Sequence, residues 1–235
     1  MQYSEPFKGF IRNYWSYYRE LEDDFLSVKR YVDFSFGNFG TYSIEILKLY
    51  QAVCSEIDVI GKAMASTANA AFKPEDKKNS IYKWWYEIQN NYTVKELDSI
   101  IPLSKYRCTF MDDDSITPWE NFSICQKLKT NKQLYYAPDD GKHVPSWWVD
   151  YNTVKHNRTS LNSDNPNETN YKKANLKNLI YAFAALYTLE KAYMQSIGTV
   201  SDLEAYANHS QLFECVQYTT TEETDAMLNE VFGFA

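Results

Sequence analysis

Between Tyr171 and about Ser196, apolar residues occupy more than one face of a helical wheel. Ala174, Leu176, Leu179, Ile180, Phe183, Ala184, Leu186, Tyr187 and Met194 make the pattern, and Gly198 is its natural stop. So broad an apolar surface is stable only when other elements cover it from several sides. That requirement points to a mainly α fold packed around one central helix. The most apolar part, Leu179 to Leu189, is too short for a membrane span, which needs about 20 such residues.

The rest of the chain offers the covering helices. Phe10, Tyr14, Tyr17, Leu21, Phe25, Val28 and Val32 recur at three- and four-residue steps, which predicts a helix over 10–34. Glu20, Glu22, Asp23 and Asp24 are expected on its solvated face. Gly37 and Gly40 punctuate the break that follows. A second helix is expected from a Thr41 or Ser43 cap to about Thr67, with Ile44, Leu47, Tyr50, Cys54, Ile57, Ile60 and Met64 as its stripe. Shorter helices are expected at 77–90, 93–100, 201–208 and 222–232. Seven Gly and seven Pro in 235 residues suit long regular elements better than a loop-rich sheet protein.

Residues 101–145 read differently. Arg107-Cys108-Thr109-Phe110-Met111 alternates as a strand does, and Pro118, Pro138, Asp139-Asp140-Gly141 and Pro145 are turn chemistry. The stretch reads as an irregular insertion with short β segments, including a hairpin between strands near 105–111 and 132–137. It lacks the apolar mass of an independent domain, so residues 1–235 read as a single helical domain. Residues 159–170 (TSLNSDNPNETN) have the composition of a mobile loop.

The net charge of −7 and pI of about 5.1 argue against nucleic-acid binding by the whole surface, because phosphate affinity rests largely on Lys and Arg. The same acidity argues against attachment to an anionic membrane. A local basic pocket remains compatible with both. Cys54, Cys108, Cys125 and Cys215 are widely spaced, with no C-x-x-C pair, and the first residues lack a basic start followed by an apolar run. A cytoplasmic location with four reduced thiols is expected. Asp112-Asp113-Asp114 and Asp139-Asp140 with His143 read as acidic loops. No spacing matches an EF-hand or a zinc site, so neither a metal nor a cofactor is expected.

The densest chemistry lies at Trp147-Trp148-Val149-Asp150-Tyr151-Asn152-Thr153-Val154-Lys155-His156-Asn157-Arg158. Pro145-Ser146 starts a helix there. Trp148, Tyr151, Lys155 and Arg158 follow i, i+3, i+7 and i+10, with Asn152 and His156 four apart beside them. Such a face offers stacking rings, two cations and a titratable ring, which suits a phosphate or nucleotide. His156 is the candidate acid or base, and Lys155 and Arg158 are the candidate charge stabilisers. Glu56, one position from the centre of the second helix's stripe, is expected to oppose this face. The alternative is that Trp147, Trp148 and Tyr151 are core and that internal carboxylates such as Glu56 neutralise the cations.

SEIDVIGK (residues 55–62) and YNTVKHNR (residues 151–158) resemble the paired helical signatures of the HEPN superfamily. The pattern W-W-x-x-Y-N-x-x-K-H-x-R is similar to that of a bacterial group associated with it, and the long Ala- and Leu-rich helix at 171–196 also fits. The resemblance covers roughly residues 10–68 and 145–196 and implies a HEPN-like helical bundle. Many HEPN proteins are metal-independent ribonucleases of toxin–antitoxin or antiviral systems, and they commonly pair their signature helices in a homodimer. No Arg here precedes a His at the family's usual distance. Only Asn152 and His156 carry over, with Lys155 and Arg158 as substitute cations. The resemblance therefore implies a nucleotide-, RNA- or protein-binding component of a defence or stress system, with ribonuclease activity through His156 as the alternative.

Overall fold

The central helix forms as α6, Leu176–Ile197, behind a single 3-10 turn at Asn170–Lys173. Its first turn is capped by the Asn175 side chain, which accepts from the Asn178 backbone N–H at 3.0 Å. Leu179, Phe183, Leu186 and Leu189 are completely covered. Each such side chain contributes about 1.5–3 kcal/mol relative to leaving it in water. The helix ends at Gly198, whose backbone is extended, not left-handed. Space is what selects glycine there: a Cβ would stand 3.0 Å from Leu203 and from the Met194 carbonyl, and 3.1 Å from Phe7.

This computed structural model describes residues 3–91, 106–110, 114–120, 122, 125–129, 134–138, 144–206 and 209–217. The described residues are mainly helical, with two small antiparallel sheets among them. The expected first helix starts earlier than its apolar pattern suggests, because Pro6 lies in its first turn. It comprises α1 (Glu5–Phe10), a π-helical turn (Ile11–Trp15) and α2 (Ser16–Val28). Glu22 departs from expectation. It is fully buried and accepts from the Tyr18 hydroxyl (2.9 Å), the Gln211 and Leu212 backbone N–H groups (3.1 and 3.3 Å), Ser210 and Arg19. A carboxylate so completely satisfied tolerates burial, and it fixes α2 to residues 210–212.

The second helix, α3 (Ile44–Ala68), is capped by Ser43, which accepts from Ile46 N–H at 3.1 Å. The starts of α3 and α6 are joined by a bridge between Tyr42 and Asn175 and by Leu176 N–H donating to the Thr41 carbonyl at 2.8 Å. The two helices therefore run side by side in the same direction. α4 (Ile81–Asn91) crosses α3 at Gly61, where a Cβ would meet the Trp84 indole at 2.8 Å. Glycine lets the two backbones close on that indole.

The strands form, but the expected hairpin does not. β1 (Tyr106–Phe110) pairs with β2 (Asp114–Ile116) and, on its other edge, with β5 (Phe213–Gln217). β3 (Cys125–Lys129) pairs with β4 (Leu134–Pro138). Burial explains the partition. Cys108 and Phe110 point inward, with the Cys108 sulfur 3.9 Å from the Ala184 carbonyl oxygen of α6, so β1 lies over the central helix. β3 is instead held on α4, where the Gln89 side-chain amide brackets the Cys125 backbone at 2.8 and 2.9 Å. Between them, Trp119 and Phe122 pack on Trp85, with ring centres 4.9 and 4.2 Å away.

The expectation of four reduced thiols is overturned for Cys108, which is disulfide-bonded and stands directly opposite Cys215 in the β1–β5 register. Cys54 and Cys125 are buried and outside any disulfide. The loop expected to be mobile is hydrogen-bonded within itself: Asn162 N–H donates to Glu168 at 2.8 Å and Asn170 N–H to Ser160 at 2.9 Å. Helix α5 (Ser146–Asn157) precedes it, and α7 (Val200–Ala205) follows α6. The helices expected at 93–100 and 222–232, and Asp112, Asp113, Asp139, Asp140 and His143, lie outside the described residues. Among the described residues, no helix is long and apolar enough to cross a membrane.

Candidate functional site

Helix α5 begins after Pro145 and is anchored by its two tryptophans. Trp147 is core: its indole N–H donates to the Pro118 carbonyl at 2.9 Å, and the Tyr50 hydroxyl donates to the Trp147 carbonyl. Trp148 and Tyr151 are almost as covered, 7% and 6% exposed, and their ring centres lie 5.2 Å apart. The core reading of these rings therefore holds for most of their area. Their remaining edges border a hollow of about 700 Å³ between α3, α4 and α5.

The hollow gathers most of the anticipated face. Trp148, Tyr151, Asn152, Lys155 and His156 all line it. The Lys155 ammonium sits 5.4 Å from the centre of the Tyr151 ring, a cation–π contact. Lys155 and His156 are exposed, and neither has a carboxylate within ion-pairing distance among the described residues. The Asn152 side-chain NH₂ donates to the Trp148 carbonyl at 3.0 Å, which leaves its carbonyl oxygen as the group able to meet a ligand. Burial, followed by the charges of Cys54 and Asp58, pushes the Tyr151 phenol up to about 12, so it stays a neutral hydroxyl at physiological pH.

Two anticipated residues lie elsewhere. Arg158 follows the last turn of α5 as its C-terminal cap, is exposed, and does not line the hollow. Glu56 is on the wrong side of α3. At about 100° per residue it is turned some 160° from Asp58, which does face the hollow. Glu56 instead lies on the side of α3 from which its charge reaches Glu190 of α6 and Tyr14. Glu190 is fully buried, and neither of its oxygens has a hydrogen-bond partner. Burial, then the neighbouring Glu56 charge, raises its carboxyl well above the usual range, so it is held as the neutral acid. Burial alone raises Glu56 to about 7.

The hollow also contains residues not singled out in the sequence. Ser55 and Asp58 form its α3 wall, three residues apart on one side of the helix. That spacing was the available signal, although the i, i+4 spacing of Asp58 and Lys62 in the sequence reads as a surface pair. The Asp58–Lys62 pair does form, and the Trp84 indole N–H also donates to Asp58 at 3.2 Å. Asp58 is thereby ion-paired by Lys62 and hydrogen-bonded by Trp84. Asn79, Ser80 and Tyr82 supply the α4 wall. The Asn79 NH₂ donates to the Lys73 and Pro74 carbonyls at 2.8 and 3.0 Å, while its buried carbonyl oxygen has no partner. An orphan acceptor of this kind calls for a donor from a ligand or a water. Among the described residues, no group of His, Cys, Asp or Glu is arranged to hold a metal.

The arrangement can bind an anion at Lys155 and His156, lay a ring against Trp148 and Tyr151, and offer Asn79 and Asn152 as acceptors. Among the described residues it shows no nucleophile–base pair, and none of them hydrogen-bonds the His156 imidazole. No protein-family model, no curated protein and no solved structure matches the chain.

Proposed function

We propose that the hollow between α3, α4 and α5 binds a nucleotide or the end of an RNA strand, and that the protein is a HEPN-like bundle acting as a binding component of a defence or stress system. The observation that carries this reading is the pairing of two unneutralised cationic or titratable groups, Lys155 and His156, with ring edges and an orphan amide acceptor around one cavity. Phosphate takes the first pair, and a base takes the rings and acceptor, whose partner is an exocyclic amine. The family reading rests on the resemblance of residues 55–62 and 151–158. It carries with it a homodimer through the signature helices.

Ribonuclease activity is the second reading. It is favoured by one observation: His156 has no partner among the described residues and lies beside Lys155 on the cavity wall. Arg158, the further cation such chemistry uses here, is outside the cavity. One experiment separates the two. Labelled single-stranded RNA is incubated with the protein in EDTA and followed both for retention on a filter and for cleavage. Retention without cleavage, weakened by Lys155→Ala, supports the binding component. Cleavage lost in His156→Ala replaces it with the enzyme. Neither retention nor cleavage at high protein concentration removes both.

A further inference from the structure

A second concavity lies along the N-terminal half of α3. It is a groove of about 720 Å³ formed by α2, the turn after it and the start of α3. Leu21, Val28 and Leu49 make its buried floor, with Val32 and Ala52 half-covered. Tyr17 and Tyr31 stand on its rim, 44% and 87% exposed. A large aromatic left so open beside an apolar floor is the kind of side chain that anchors protein interfaces.

The charge on the walls is lopsided. Glu20 and Asp24 lie one turn apart on α2, and neither carboxylate has a partner among the described residues. Like charges at that spacing repel, and a cation placed between them relieves the repulsion. On the facing wall Glu45 is already neutralised by Lys48 at 2.9 Å. The groove therefore presents an apolar floor with two unneutralised carboxylates along one edge. Nucleic acid and anionic lipid are repelled by that edge, and a purely polar ligand gains nothing from the floor. A helix with one apolar face and flanking Lys or Arg satisfies both.

We propose that the groove between α2 and α3 docks a basic amphipathic helix of a partner protein, its apolar side chains on Leu21, Val28 and Leu49 and its cations against Glu20 and Asp24. The site is separate from the cavity bordered by α5 and does not depend on its function.

The test uses the full chain and a fluorescently labelled synthetic peptide of about four helical turns, Leu on one face and Lys on the other, read by anisotropy. Binding is expected, weakening as salt is raised. A peptide with Glu in place of Lys, and one of the same composition in scrambled order, are expected to bind at least about tenfold more weakly. Glu20→Lys with Asp24→Lys, and separately Tyr31→Ala, are each expected to cost about tenfold or more. A double reversal elsewhere on the surface, Glu75→Lys with Glu204→Lys, makes the same change in net charge and is expected to leave affinity within about threefold. Circular dichroism checks that each variant is folded. The proposal is overturned if the scrambled or acidic peptide binds equally well, if the remote reversal costs as much as the groove reversal, or if the groove variants bind unchanged. It is also overturned if ultracentrifugation shows a dimer that Tyr31→Ala dissolves, which assigns the groove to a second copy of this chain.

Discussion

Gly61 and Asp58 show how single residues set the candidate site. Gly61 leaves room for the Trp84 indole against α3, and the same indole then reaches Asp58. Gly61→Ala is expected to destabilise the fold by about 1–3 kcal/mol in urea unfolding, because a methyl group at 2.8 Å forces Trp84 to move. Gly9→Ala is the matching control. It lies within α1, its Cβ meets nothing within 4 Å, and a gain of up to about 1 kcal/mol is expected from helix propensity. The burial of Glu56 yields a pH prediction. Glu56 ionises near 4.5 when unfolded and near 7 when folded, so the unfolded state is favoured increasingly as pH rises through that window. Stability is therefore fully present below about 4.5 and falls until about pH 7. Glu56→Gln, which has no charge to bury, is expected to match the parent at low pH and exceed it at pH 8. A difference that does not vary with pH contradicts the account.

The helices were largely legible from their apolar periodicity, because burial of one stripe is what stabilises them. α3, α5 and α6 form close to their expected ranges. What the periodicity did not disclose was rotation about the helix axis. Glu56 and Asp58 are both near the stripe of α3, and only the packing of α6 on one side and α4 on the other decides which carboxylate meets which cavity. The same limit applies to α5: Trp148, Tyr151 and Lys155 share a wall as their spacing requires, but the helix ends before Arg158 can follow them. Strand pairing was not legible at all, since β1 finds its second partner about a hundred residues away, at β5. α7 carries its own prediction. Thr199 and Asp202 form a capping box, and Asp202 also accepts from the Ser4 backbone and hydroxyl at 2.8 and 2.7 Å. Burial raises the Asp202 carboxyl, but the hydrogen bonds from Ser4 and Thr199 outweigh it and hold it down at about 2. Its contribution is present above the usual 3.8 and is lost as pH falls towards 2, so Asp202→Asn is expected to flatten that part of an acid-unfolding curve.

For the whole molecule, Ser4 and residues 210–217 are tied to distant parts of the bundle by polar contacts that apolar patterning does not reveal. Ser4 binds Asp202, Glu22 binds residues 210–212, and β5 closes on β1 beside the Cys108 disulfide. Disulfides persist in oxidising surroundings, so this bond and the cytoplasmic location expected from the sequence pull in opposite directions. Cys108→Ser is expected to lower stability by about 2–4 kcal/mol without reductant and to have little further effect with it. Equal loss under both conditions indicates packing, not the bond. These ties leave the cavity between α3, α4 and α5 as the place where aromatic edges, an orphan acceptor and unneutralised basic groups meet, and the account stands on its binding an anionic ring-bearing ligand. The most direct measurement is calorimetric titration of the protein with adenosine monophosphate, repeated with adenosine and with Lys155→Ala. Binding of the monophosphate, weakened roughly tenfold or more both by removing the phosphate and by removing the Lys155 ammonium, is the predicted result. Equal heats for parent and variant, or none for either nucleoside or nucleotide, contradict it.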